Sequence, residues 1–350
     1  MGRTDSSIVF LRAFATVLVV VGHATRSLQF PNNHMAAPLF VPFWETVIRN
    51  HIYSFHMPLF FWISGYVFCL SAEGRSSGVV SDIVKKIRRL VVPMYAASFL
   101  FLLPFVMMFG HLNRPLGVAI RLLFLGIDND HLWFLKTLFL IFAVMIPVSH
   151  LKVSRHWLSD IILAAVWLGL YRFLADLPGI FYFPVKYFPF FFAGCLSWKY
   201  GKDWIGKAGF KAGAIVFLAH TFLFVRYGNP PPSGPGFGGL WYGTASFGTA
   251  FWVIVSGCVT RRIRSRGIWT WVAAVETRSF SLYLFHVAVL YVALDFCRRF
   301  QVESAVLRLL ISLVPGFAVP VLLHDLFARI RPLAFAFSIP YIKKPQTRKD

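Results

Sequence analysis

Acidic residues are scarce in this chain: 14 Asp and Glu stand against 35 Lys and Arg in 350 residues, a formal net charge of +21. So few carboxylates leave little material for an acid-lined ion or proton path of the kind secondary transporters carry through the membrane. Cysteine is scarcer still. Cys69, Cys195, Cys258 and Cys297 lie scattered in or beside apolar segments with no CxxC spacing, which excludes a disulfide framework and a zinc-finger type of site. Long polar stretches are missing as well, and with 57% hydrophobic residues, 14% charged and a mean hydropathy of +0.66 the composition is far from that of a soluble globular protein. No internal repeat is evident, and no pair of interrupted half-helices suggests an inverted duplication.

What is present is apolar sequence in lengths of about 17 to 25 residues, enough to cross roughly 30 Å of hydrocarbon. The expected fold class is an all-α polytopic membrane protein, a single membrane domain over residues 1–350. About ten spans are expected, near 8–27, 47–70, 90–110, 131–149, 157–175, 184–199, 212–227, 241–260, 273–296 and 304–326. The sixth is short, and the segment 115–126 reads as a re-entrant or interfacial helix. The first span has no small-residue cleavage site and is interrupted by Arg12, so it stays attached rather than acting as a removable signal.

The excess positive charge does not point to nucleic acid, because it is parcelled into short clusters between spans. These are "KKIRR" (85–89), "HLKVSRH" (150–156), Lys199, Lys202, Lys207 and Lys211, "RRIRSR" (261–266) and the tail "IKKPQTRKD" (342–350). The intervening "PNNHMAAPLF" (31–40) and the proline-rich "YGNPPPSGPGFGG" (227–239) are poor in Lys and Arg. This is the positive-inside alternation, and it places both termini in the cytoplasm with the lipid bilayer as the surrounding partner.

Against this background several polar residues need a reason. "FLRAFATVLVVVGHATRS" (10–27) carries Arg12 and His23. Eleven residues turn an α-helix by about 1,100°, so the two share one face about 16 Å apart. The structural alternative is that Arg12 snorkels to the inner headgroups while His23 caps the outer end. "NHIYSFHMPLFFWISGYVFCL" (50–70) holds His51 and His56 near its outer end and Ser64-Gly65 deeper; the Ser-Gly pair either lets two helices pack closely or opens room for a substrate chain. Lys86, Arg88 and Arg89 precede Pro93 and serve either as a topogenic loop or as ligands for phosphate. "DNDHLWFLKTLF" (128–139) brings His131 and Trp133 to the outer interface, where a Trp is expected of any aromatic belt. His286 lies inside the apolar "ETRSFSLYLFHVAVLYV" (276–292), where an unpaired imidazole is costly to bury.

Taken in order, "VFLRAFATVLVVVGHA", "FHMPLFFWISGYVF", "KKIRRLVVPMY", "HLWFLKTLF" and "SFSLYLFH" resemble the acyltransferase-3 family of integral-membrane O-acyltransferases, close to its sugar acetylase and glucan succinyltransferase type. The resemblance covers most of the chain. It implies a bacterial cytoplasmic-membrane enzyme that moves an acyl group from a cytoplasmic acyl-CoA, most simply acetyl-CoA, to a hydroxyl of a carbohydrate or glycolipid acceptor. Arg12 and His23 match the family's paired Arg and His, Ser64 and Gly65 its Ser-Gly motif, and Lys86, Arg88 and Arg89 its cations near the acyl donor. His286 matches the histidine of its S-x-Y-x-x-H stretch. One departure is plain: where the family has a Glu before a basic residue and Pro, "FARIRPL" has Ile330.

The expected chemistry follows. Attack of a hydroxyl on a thioester needs a base, and neutral histidine suits that task near neutral pH. His23 is expected to be that base, with His131 and His286 orienting it or the acceptor. Arg12 and the 85–89 cluster are expected to serve the CoA phosphates, with Ser64, Gly65, His56 and Trp133 lining the acceptor side or packing helices. An acyl-enzyme on Ser64 has no base adjacent in sequence to support it. No metal is expected, because His23, His51, His56, His131 and His286 come without a carboxylate or cysteine shell. The competing class is a secondary transporter of a small polar or glycan-related substrate.

Overall fold

The computed structural model describes residues 6–27, 43–73, 76–108, 115–124, 130–151, 156–174, 179–205, 209–227, 239–263 and 265–342. The expected outer loops at 31–40 and 228–238, Asp128, Lys207 and the tail from 343 lie outside the described residues. Among the described residues the protein is helical without a β-strand: an all-α polytopic membrane protein. The helices are α1 (Ser6–Ser27), α2 (Phe43–Ala72), α3 (Val79–Lys86), α4 (Val92–Ala97), α5 (Leu103–Met108), α6 (Leu116–Phe124), α7 (Trp133–His150), α8 (Trp157–Leu174), α9 (Gly179–Ile205), α10 (Phe210–Tyr227), α11 (Gly239–Arg262), α12 (Arg266–Arg299), α13 (Ala305–Phe327) and α14 (Arg331–Ala336).

Seven segments among the described residues are long and apolar enough to cross a bilayer: α1, α2, the run from α3 into α5, α7, α11, α12 and α13. The expected spans at 157–175, 184–199 and 212–227 are helices too, but shorter or less uniformly apolar. α8 is apolar over Trp157–Tyr171 but shorter than the seven, Lys186, Lys199 and two internal prolines interrupt α9, and α10 holds Lys211, His220 and Arg226. Segment 115–126 contributes only the nine-residue α6, about 13 Å long and too short to span.

The third span is not a plain α-helix. Between α3 and α4 the chain makes a π-helical turn at Ile87–Val91, and between α4 and α5 a second at Ser98–Leu102. Pro93 explains the first, since it cannot donate to the carbonyl of Arg89 and its ring would collide with it. Widening the turn takes up the conflict, with the Val92 N–H reaching back to the Ile87 carbonyl. Pro104 stands in the same register to the second turn, in conflict with the carbonyl of Leu100, and there the Leu103 N–H reaches back to the Ser98 carbonyl.

The chain divides into two compact units. The first comprises residues 1–22, 43–79 and 140–279; the second comprises 23–42, 80–139 and 280–350. In the first, α2 packs along α9 and α11, and α10 along α11. Its core joins Ile8, Leu11 and Ala15 of α1 to Phe55, Leu59, Trp62, Ile63 and Tyr66 of α2 and Val253 of α11. Because lipid tails are as apolar as these side chains, such packing is held by close fit and hydrogen bonds rather than by removal from water. The fit is tightest where α2 crosses α9. A Cβ added at Gly65 would stand 1.8 Å from the Phe191 carbonyl oxygen, and one at Gly194 would stand 2.0 Å from that of Trp62. Around this crossing Trp62 Nε1 donates to Ser197 Oγ at 3.2 Å and Cys195 Sγ donates to the Gly65 carbonyl at 3.3 Å.

The second unit is centred on four phenylalanines. Phe101, Phe285, Phe327 and Phe337 meet with ring centroids 4.8 to 6.1 Å apart. They bring together the second π-turn, α12, α13 and the residue that follows α14. Ser338 Oγ donates to the Arg88 carbonyl at 2.8 Å and the Arg88 guanidinium lies 4.6 Å from the Phe335 ring centre. The basic turn is thereby held against the segment that follows α13.

Candidate active site

Three of the expected histidines converge within the second unit. His23 comes from the last turns of α1, His131 from the single 3-10 turn Asp130–Leu132 that leads into α7, and His286 from the middle of α12. Their ring centroids are 5.1 Å (His23 to His286), 5.2 Å (His131 to His286) and 6.1 Å (His23 to His131) apart, all edge to face. His286 is fully buried, His131 is 5% exposed and His23 is partly exposed.

The hydrogen bonds set the direction of these rings. His286 Nδ1 lies 2.8 Å from the Leu282 carbonyl and 3.0 Å from that of Tyr283, acceptors that only an Nδ1–H can satisfy. That assigns the tautomer in which Nε2 carries the lone pair. Tyr283 in turn donates its hydroxyl to the backbone carbonyl of His131, which ties the 3-10 turn to α12. Neither ring nitrogen of His131 closes a hydrogen bond of ordinary geometry among the described residues. Three imidazoles at these spacings can take a proton, pass it on and orient a hydroxyl; among the described residues no group of His, Cys, Asp and Glu has a metal-holding arrangement.

Arg12 has a partner that sequence reasoning missed. Its Nη1 pairs with Glu276 in the first third of α12, within the first unit, and Thr16 Oγ1 donates to the Arg12 carbonyl at 2.8 Å. The side chains are 29% and 19% exposed. A signal existed, because an arginine in an apolar helix demands a counter-charge and acids in apolar segments of this chain are few. In this structure a carboxylate already holds its guanidinium. Glu276→Ala should strand that charge and lower stability by about 2 to 3 kcal/mol, below the cost of breaking a fully buried pair because both groups are partly exposed. Adding Arg12→Ala should restore part of the loss, which thermal unfolding in detergent across the double-mutant cycle would read out.

The remaining candidates divide. Lys86 is half-buried and Arg88 and Arg89 are exposed, Arg88 leaning on Phe335. Ser64 Oγ–H donates to the Phe60 carbonyl of its own helix at 2.8 Å, and the room at Gly65 is filled by the α9 backbone, so Gly65 is a position of close helix packing. His56 is buried with Nδ1 2.8 Å from the Ile52 carbonyl. His51 belongs to the first unit, where its ring lies 5.1 Å from that of His220, a residue not singled out from sequence. Trp133 is half-buried at the start of α7. Ile330 is 39% exposed as the residue before α14 and brings no carboxylate to that end of the chain.

A polytopic helical membrane protein with a buried imidazole cluster and a cationic turn in the same compact unit has the parts of a membrane acyltransferase. The sequence model of a family described as "Acyltransferase domain" matches residues 5–325. The chain belongs to that family, acyltransferase-3, and is a membrane acyltransferase. No curated protein and no solved structure matches the chain.

Proposed function

We propose that the protein moves an acetyl group from acetyl-CoA to a hydroxyl of a cell-surface or lipid-linked carbohydrate, in the bacterial cytoplasmic membrane with both termini on the cytoplasmic side. The observation that carries this reading is the convergence of His23, His131 and His286, with His286 held by the Leu282 and Tyr283 carbonyls. His23, the least buried of the three, takes the proton of the acceptor hydroxyl as that oxygen attacks the acyl carbon. His286 and His131 hold His23 and the acceptor in line, and the developing oxyanion is met by whichever of these rings is protonated. Arg88 and Arg89, exposed on the π-turn, and the half-buried Lys86 just before it hold the phosphates of the CoA. Trp133, in the same unit as the three histidines, is retained as an acceptor-side candidate because a sugar ring stacks on an aromatic face.

The test uses the purified protein in detergent with radiolabelled acetyl-CoA and, in separate reactions, soluble and lipid-linked glycans. Label should move to a glycan fraction and free CoA should appear with it. Succinyl-CoA run in parallel distinguishes the donor. CoA release that never depends on any glycan would sink the carbohydrate assignment, and no turnover of either donor would sink the CoA assignment.

A further inference from the structure

Besides the histidine cluster, the second unit contains a serine and a histidine in the relation of nucleophile and base. Ser281 Oγ on α12 and His324 Nδ1 on α13 are 2.8 Å apart. Ser281 is fully buried and His324 is partly exposed. The helices that carry them are fastened together by the packing of Phe285 on α12 against Phe327 on α13, four and three residues further along the chain. The pair also has a place relative to the expected donor. His324 lies in the last turn of α13, and the segment that follows, through α14 to Ser338, is the one that holds Arg88 by the Ser338 hydrogen bond and the Phe335 ring. Arg329 and Arg331 add two more cations to that stretch.

We propose that Ser281 carries the acyl group between donor and acceptor, with His324 as its base; this deepens, and rests on, the reading of an acyl-CoA donor. In the first step the Ser281 Oγ–C bond forms, the thioester C–S bond breaks, His324 Nδ1 takes the serine proton and CoA leaves as its thiolate. In the second step the acceptor oxygen attacks the ester carbon, the bond from that carbon to Oγ breaks, and His324 returns its proton to Oγ. The acceptor's proton goes to His23 and then to water, and with the proton that the thiolate takes from water the sum is free CoA and the acylated acceptor. Burial of Ser281 shields the ester from hydrolysis. Ser281 precedes His286 by five residues, about 7.5 Å along α12 and about 140° around it, so the two side chains leave the helix on different faces and the acceptor hydroxyl has to be presented between them. This arrangement provides the adjacent base that Ser64 lacks.

The experiment incubates the purified full chain with radiolabelled acetyl-CoA, and separately succinyl-CoA, without acceptor, then quenches in acid and counts label on the protein. The expected result is about one label per chain, mapping to the peptide that contains Ser281. Ser281→Ala should carry none and His324→Gln should label more slowly. Ser281→Cys should label as a thioester that neutral hydroxylamine releases, and it also shows that a variant at this position folds. Glycan-dependent CoA release should fall at least about 1,000-fold in Ser281→Ala, as for other nucleophile–base units. Glycan-dependent turnover in the wild type with no label, or undiminished turnover in Ser281→Ala, would overturn the acyl-serine while leaving the proposed function intact. Absence of both label and turnover with either donor would remove the acyl-CoA reading and this inference with it.

Discussion

Gly65→Ala should fail to give a folded protein, or give one so destabilised that it is degraded before purification. The added carbon would stand 1.8 Å from the Phe191 carbonyl oxygen, and that oxygen is backbone, so no side chain can swing aside to make room. Overpacking a flexible core costs about 1 to 3 kcal/mol, and separating two helix backbones should exceed that range. The same holds for Gly194→Ala from the other side of the crossing, where the Trp62 carbonyl is in the way. Ser64→Ala is the control. Its hydroxyl bonds only within its own helix in this structure, so the loss should stay below about 1 kcal/mol and leave activity near that of the wild type. Fluorescence-detected gel filtration of the three variants, followed by thermal unfolding in detergent, reads the difference. A Gly65→Ala protein that is monodisperse and stable but inactive would return Gly65 to the acceptor site.

His23→Ala should lower the glycan-dependent rate by about 100- to 10,000-fold, the span expected when a general base is removed, while acetyl-CoA still binds. His286→Ala should cost a comparable factor with an added structural penalty, because its Nδ1–H leaves the Leu282 and Tyr283 carbonyls without that donor. The two losses should not add, since the rings work as one unit 5.1 Å apart. A base must be neutral to accept a proton, so the wild-type rate should fall on the acid side as the imidazole becomes protonated. That limb should be missing from whatever activity His23→Ala retains. Rate against pH in both proteins is the measurement; an acid limb unchanged in His23→Ala would move the role to His286 or His131.

Much of this was readable from the residues, for identifiable reasons. Length and apolarity announced α1, α7 and α13, whose bounds fall within a few residues of the expected spans, because a membrane helix is specified by its own composition more than by its neighbours. The longest helix was read too short. α12 begins at Arg266 rather than near 273, since its first turns carry Arg, Trp and Thr and do not look like a span. His23, His131 and His286 could be nominated one by one, as imidazoles in apolar surroundings are conspicuous, but their meeting is a tertiary fact. Glu276 and His324 went unremarked because each stands near the end of a stretch where a polar residue passes for an interface residue. Gly194 was hidden by the aromatic run around it, and only the crossing with α2 reveals what its missing side chain permits.

The two π-turns of the third span have an evolutionary meaning. Each amounts to a one-residue insertion that an α-helix has absorbed, and each rotates everything beyond it by about 100° relative to a helix without it. Arg88 and Arg89 lie inside the first such turn and Phe101 inside the second. A deletion of one residue between 87 and 91 would therefore bring back the clash that Pro93 makes in an unbroken α-helix, and it would carry the basic residues away from Phe335 and Ser338. Relatives that lack the insertion should hold their cations on a different face, and a single codon is enough to separate the two arrangements.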